Sequence, residues 1–206
     1  MQGVHLVDLQ CCGQRTHFIW KIPLKFQHWI FTEFWHIASK ISLSIFNLYV
    51  PVNFQEKKEC WKSLVDYVDT HVHSNIIVVG DLKIMMDPKD KSGGVYGRDP
   101  MLKTMENFIQ FWNFIDFKPK KGRYTWTNNR EGATNISTRL DCFLVQSSFL
   151  EKKIISSNIL PKLTSYHKPI MLQFEDEENI GPIPFRFSPL WIYREGFMNI
   201  VSQSWA

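Results

Sequence analysis

Four β-branched residues in a row, Ile76-Ile77-Val78-Val79, closed by Gly80-Asp81, constrain this chain more than any other stretch. A run that is apolar on both faces is a strand buried from both sides, so layers must lie above and below it. Upstream, Gln55 to Val72 has helix period, with Trp61, Leu64, Val65, Val68 and Val72 on one stripe. Asn53 is placed to cap that helix, and Glu56 three residues on completes a capping box. Earlier still, Ile41, Leu43 and Ile45 alternate with Ser42, Ser44 and Phe46 at strand period. By that parity Asn47 and Tyr49 share the face of Ile45 before Pro51 ends the strand. Strand, helix and buried strand in sequence predict an alternating α/β domain.

The same reading continues downstream. Residues 87–100, with Gly93, Gly94 and Gly97, read as a loop, and Met101 to Trp112 returns to helix period. Tyr124 to Thr127 and Arg139 to Val145 read as two strands of a hairpin, joined by the polar connection 128–135. Ile154 to Leu160 and Ile170 to Phe174 supply two more short strands. The α/β domain therefore spans 41–174. Residues 175–190 open on the acidic run Glu175-Asp176-Glu177-Glu178, carry Pro182, Pro184 and Pro189, and read as a linker. Residues 191–206 end the chain with a helical stripe of Phe197, Ile200, Val201 and Trp205. Residues 1–40 are an atypical segment, rich in aromatics and lacking a clean period. If they supply no strand, one sheet edge and its apolar surface are left uncovered.

Composition narrows the class. An apolar fraction of 44% in 206 residues suits one sizeable core and excludes a disordered or collagen-like chain. The longest membrane candidate, Phe18 to Phe34, is broken by Lys21, Pro23, Lys25 and Glu33, so no spanning helix is expected. No basic stretch leads into an apolar run and a small-residue cleavage site, so no signal peptide is expected. Cys11, Cys12, Cys60 and Cys142 form no CxxC pair, which points to a reducing compartment, nuclear or cytoplasmic. The net charge of +4 permits a phosphate-bearing partner without requiring one.

Three residues stand where chemistry is expected. Asp81 follows the buried strand directly, and open α/β sheets place their sites beyond the carboxyl ends of strands. Its plain reading is a Gly80-Asp81 turn. Asp141 is a carboxylate within a strand, expensive unless paired, and a surface pair with Arg139 on an edge strand is its plain reading. His167 precedes the last strand of the domain and is either structural or catalytic. The phosphate-loop, dinucleotide-binding and nucleophile-elbow signatures are missing, and no histidine spacing suits zinc. His71 and His73 close the first helix, where cations favour its dipole. Gly93-Gly94 is either a plain loop or an anion cradle. Lys118, Lys120, Lys121, Arg123 and Arg130 interleave with Tyr124 and Trp126, a pattern suited to a nucleic-acid backbone and equally to a solvated loop.

Taken in order, Asn47-Leu48-Tyr49-Val50-Pro51, Gly80-Asp81-Leu82-Lys83, Tyr124-Thr125-Trp126-Thr127-Asn128, Arg139-Leu140-Asp141 and Ser165-Tyr166-His167-Lys168-Pro169 resemble the endonuclease/exonuclease/phosphatase superfamily. That group includes the AP endonucleases and deoxyribonuclease I. Lys91-Ser92-Gly93-Gly94, with Pro184-Phe185-Arg186-Phe187 and Leu190-Trp191, is similar to the endonuclease region of plant LINE-type (non-LTR) retrotransposon polyproteins.

The resemblance implies a four-layer α/β/β/α sandwich, partial here, and Mg²⁺-dependent hydrolysis of DNA phosphodiesters. It assigns Tyr49 to the scissile phosphate and Asp81 to the attacking water. Asp141 holds the catalytic histidine, and His167 binds or protonates a phosphate oxygen. Asn47, Trp126 and Arg139 fall on the substrate side. Asp81 is the one candidate metal ligand, because the family's metal-binding Glu has no counterpart. The upstream acids Asp8 and Glu33 sit in no matching motif.

Three further positions depart from the pattern. Lys83 stands where Gly-Asp-x-Asn has its Asn, and Tyr166 where Ser-Asp-His has its Asp. Cys142 stands where the LINE-type pattern has a second Arg, a possible phosphate contact. A phenol near pKa ~10 cannot replace a carboxylate. The sequence therefore predicts a degenerate, catalytically impaired domain of a retrotransposon-derived protein, and leaves open whether it still contacts nucleic acid. An active Mg²⁺-dependent endonuclease is the alternative.

Overall fold

The computed structural model describes residues 18–36, 40–71, 73–97, 99–150, 154–162 and 164–175, with positions 197, 202 and 203. The chain divides into two compact units, Met1–Asp176 and Glu177–Ala206. Of the expected C-terminal helix only Phe197, Ser202 and Gln203 are described, each helical. The expected linker lies outside the described residues apart from Glu175.

In chain order the first unit holds β1 (Phe18–Trp20), β2 (Leu24–Lys25), β3 (Trp29–His36), β4 (Ile41–Tyr49), α1 (Phe54–Thr70) and β5 (Ile76–Asp81). It continues with β6 (Lys91–Ser92), α2 (Leu102–Phe111), β7 (Phe114–Asp116), β8 (Trp126–Thr127), β9 (Ser137–Thr138) and β10 (Asp141–Gln146). A single turn, α3 (Ser147–Leu150), leads to β11 (Ile154–Ile159) and β12 (Ile170–Glu175). Asn53 caps α1 as expected, its side-chain oxygen accepting from Gln55 N at 2.9 Å and Glu56 N at 3.2 Å.

The main sheet runs β1-β3-β4-β5-β10-β7, with β2 on β3. β4 and β5 are parallel and the other pairs are antiparallel. Its two faces are both apolar. Phe46, Leu48, Ile76, Val78 and Leu144 pack on one side with Trp61, Leu64 and Val68 of α1 and Met105 and Phe108 of α2. Leu43, Ile45, Ile77, Val79, Phe143 and Val145 pack on the other with Phe149 and with Ile170 and Leu172 of β12. Strand β12 pairs with β11 in a separate two-stranded sheet. Helices, sheet and second sheet are thus stacked as an α/β sandwich, as the motifs imply.

The sequence leaves open what residues 1–40 form, and within them β3 pairs with β4 along eight residues, from Trp29↔Leu48 to His36↔Ile41. Its Trp29 and Phe31 join the helix-side core, and Trp29 Nε1 donates to Ser63 Oγ at 3.0 Å. One expectation needs correction: the strands at 124–127 and 139–145 do not form one hairpin. β8 pairs with β9, and β6 completes that small sheet. The chain then crosses at Arg139-Leu140 into the main sheet, where β10 lies between β5 and β7.

Cys60 and Cys142 are free and buried; burial pushes the Cys60 thiol up to about 12 and raises that of Cys142 as well. Both serve as apolar core residues. Among the described residues no helix is long and apolar enough to cross a membrane.

Candidate active site

The pleat of the sheet decides which side chains meet. Asn47 and Tyr49 of β4, Asp81 of β5 and Asp141 of β10 continue the rows that bury Ile45, Val79 and Phe143 between the two sheets. Tyr49 is registered against Asp81, and Asp81 against Asp141, so the three stand side by side at one end of that face. Asn47 is half-buried behind Tyr49, which is itself 46% exposed.

Asp81 is carried there by Gly80. With φ at +130°, and with an added Cβ falling 2.0 Å from the Leu48 carbonyl oxygen, only glycine serves at this position. Backbone bonds then anchor the turn on both sides, from Val50 N to Asp81 O and from Leu82 N to Leu140 O, each 2.9 Å.

Asp141 is fixed by a residue the sequence reading gave no role. Thr125 is fully buried, and its hydroxyl oxygen accepts from the amides of both Leu140 and Asp141 at 3.0 Å. Its carbonyl accepts from Lys168 N at 2.6 Å, and the next residue, Trp126, bridges to His167. One threonine therefore ties the two catalytic candidates together, and Trp126 lies alongside them.

His167 is brought in just ahead of β12. Its Nδ1 donates to Asp141 Oδ2 at 2.8 Å, and its Nε2 is 4.0 Å from Asp81 Oδ2. Burial opposes its charge, but the bond to Asp141, together with both carboxylates, raises its pKa above the ordinary imidazole value. Asp81 is 1% exposed, and among the described residues neither carboxylate oxygen has a hydrogen-bond partner. Burial, then the Asp141 charge, pushes its pKa up, against the pull of Lys83 and His167.

Lys83 enters this group directly. Its ammonium is 3.5 Å from Asp81 Oδ2 and 3.9 Å from the centre of the Tyr49 ring. Tyr166, in contrast, is 58% exposed, with the Lys162 ammonium 5.7 Å from its ring, and supplies no second carboxylate.

Other expected site residues fall elsewhere. Arg139 is 2% exposed and does not pair with Asp141. Its Nη2 reaches Asp90 at 2.7 Å and Asp116 at 2.6 Å, while Nη1 donates to Asp116 at 2.8 Å. The guanidinium braces β10 against β7 and the turn at Pro88–Asp90, and is not presented to a substrate. Cys142 lies on the helix side of the sheet, so a side chain at 142 points away from the site, and the expected loss of a phosphate contact there does not follow. Glu33 pairs with Lys21 and Ser42 opposite Ser44, outside the site; Asp8 lies outside the described residues. Gly93 packs against the Asn135 carbonyl, a contact between loops. His73 is no helix-end cation: burial against Phe31 and Phe46 lowers its pKa.

Donor atoms of Asp81, Asp141 and His167 lie within 4.8 Å of one another, as a single cation would require. The orphaned oxygens of Asp81 are the right chemistry for Mg²⁺. The charges are not. Two carboxylates already face the Lys83 ammonium and an imidazole whose protonation is favoured. A divalent ion about 5 Å from that ammonium would be repelled by roughly 6 to 7 kcal/mol at an effective dielectric of about 20. As placed, these residues do not fit a divalent cation.

No protein-family model matches the sequence, and no curated protein does. Solved structures do match. The AP endonuclease LMAP from Leishmania major superposes with a TM-score of 0.54 at 17% identity, over 72% of this chain and 55% of that one. The endonuclease domain of TRAS1, a telomere-specific non-LTR retrotransposon, superposes with a TM-score of 0.55 at 12% identity, over 81% of this chain and 72% of that domain. The chain has an endonuclease/exonuclease/phosphatase-type fold. It spans little more than half the length of the AP endonuclease. Within this fold the Asp81–Asp141–His167 group lies where the two sheets meet, at the end of the buried strand that announced it in the sequence.

Proposed function

We propose that this chain is a nucleic-acid-binding domain of endonuclease descent, of the kind carried by non-LTR retrotransposons, whose hydrolysis is strongly impaired. One observation carries this reading: the Lys83 ammonium stands 3.5 Å from the carboxylate that would activate water. A base already paired with a cation, and with no hydrogen-bond partner to orient it, is poorly placed to take a proton from water. The remaining parts suit a phosphodiester. His167, held by Asp141 through Nδ1, turns its Nε2 to the task of giving a proton to a phosphate oxygen, and Tyr49 stands in register with Asp81 at the same end of the sheet. Lys120, Lys121 and Arg123 are exposed on the approach to Trp126 and suit a nucleic-acid backbone, whereas Lys118 is engaged by Asp87 and Asp90.

A second reading, an active Mg²⁺-dependent endonuclease, is favoured by the intact Asp141–His167 pair. Nicking of supercoiled plasmid in Mg²⁺ or Mn²⁺ separates the two. The expected result is no nicking by the native chain and recovery in the double variant Lys83→Asn, Tyr166→Asp. Nicking by the native chain that Asp81→Ala abolishes would overturn the impaired reading.

A further inference from the structure

We propose that Lys83 is the resident cation of this site, built into the fold against the carboxylate a divalent ion would need, so that the cluster is charge-balanced by the chain itself. The inference rests on the Asp81–Asp141–His167 group being the functional centre, and not on any residual hydrolysis.

An ordinary lysine would be a weak occupant, since its four-carbon stem swings freely in water. Lys83 is held at both ends. Its backbone has φ at +48°, in the left-handed region that a side-chain-bearing residue adopts only when its surroundings impose it. Those surroundings are specific. Lys57, itself 8% exposed on α1, donates through Nζ to the Lys83 carbonyl at 2.8 Å and lies 3.5 Å from Asp99. Burying one lysine in order to fix the backbone of another is costly, and it secures the direction of the second side chain. At its far end the Lys83 ammonium lies between the Asp81 carboxylate and the face of Tyr49, with the side chain 15% exposed. Cation–π attraction strengthens as water is removed, so a ring on one side and a carboxylate on the other form a seat for a monovalent cation.

Charge and space then agree. Among the described residues the counter-charges close to Asp81 are the Lys83 ammonium at 3.5 Å and His167 Nε2 at 4.0 Å. A divalent ion could bind Asp81 only after displacing the ammonium and leaving it partly buried beside a doubly charged neighbour. Lys57 is a positioning residue in this arrangement, acting on the site through the Lys83 backbone.

The test uses the full chain and Mn²⁺ as the probe, read by paramagnetic broadening of the His167 ring protons. The native chain is expected to show no saturable broadening there. Lys83→Met keeps the stem and removes the charge. It is expected to tighten Mn²⁺ binding at this position by at least about tenfold, and adding Asp81→Asn is expected to remove that gain. Saturable broadening of His167 in the native chain would overturn the proposal, as would a folded Lys83→Met protein that binds Mn²⁺ no better. Should Lys83→Met not fold, reductive methylation of the native chain decides. Lys83 is expected to react at least about tenfold more slowly than exposed Lys120 and Lys121, and equal rates would overturn the assignment. Nicking is scored separately: a Lys83→Met protein that takes up Mn²⁺ yet cuts no plasmid upholds the cation assignment and counts against the endonuclease reading alone.

Discussion

His167 donates to Asp141 at 2.8 Å, and that bond, with the Asp81 charge behind it, outweighs the burial that opposes its protonation. Its folded pKa therefore lies above the unfolded value of 6.5. The stability this contributes is fully present below pH 6.5 and is lost as pH rises through the folded value. His73 has the opposite sign. Burial, then the His71 charge, lowers its pKa below 6.5, so its contribution is present above pH 6.5 and is lost as pH falls through the folded value. A bulk melting curve would sum the two and hide both. Individual ring titrations by NMR should place His167 above 6.5 and His73 below it, and Asp141→Asn should move only His167 downward. A His167 midpoint at or below 6.5 would show that the pair is not formed. Asp81, Asp141 and His167 were each legible in the sequence because each borders a strand within a motif. Lys57 was not. Its periodicity is that of any exposed helical lysine, and its task comes from a carbonyl twenty-six positions away.

Elements differ in legibility for a physical reason. β5 is an unbroken β-branched run closed by Gly80-Asp81, and α1 keeps one apolar stripe at helix period, so the sequence reports both. β3 is apolar on both sides because Trp29 and Phe31 meet the helix-side core while Phe34 meets the inter-sheet core, and the alternation disappears. The split of the expected hairpin at Arg139 was equally hidden, since it depends on which carboxylates wait across the fold. Thr125 shows what that crossing requires. The chain leaves one sheet and enters another between residues 138 and 141, and the Thr125 hydroxyl accepts the two amides that the change of sheet leaves without strand partners. Thr125→Val keeps the shape and leaves both donors unpaired in a buried place, costing about 1–3 kcal/mol. Thr125→Ser should restore most of that. Urea midpoints measure the cost, and the His167 ring shift should move in the Val variant alone. Equal stability for Val and Ser would remove Thr125 from its positioning role.

At the scale of the whole molecule, the least readable segment is the one the fold depends on. β3 covers the edge of β4, the strand that carries Tyr49, and delivers Trp29 and Phe31 to the core against Phe46. Losing a buried Trp or Phe costs about 3–5 kcal/mol each. Two such losses approach the roughly 5–15 kcal/mol by which a domain is stable at all. Removing residues 1–40 would in addition expose eight residues of β4 as an unpaired edge, with Leu48 and Phe46 uncovered beside it. The truncated chain should therefore aggregate or melt without cooperativity, while Trp29→Phe in the full chain should remain folded at reduced stability. Circular dichroism melts with sedimentation measure both. A soluble, cooperatively melting 41–206 fragment would mean that the parallel β4–β5 pair and the two long helices suffice, and that the site at their end can be built without the N-terminal strands.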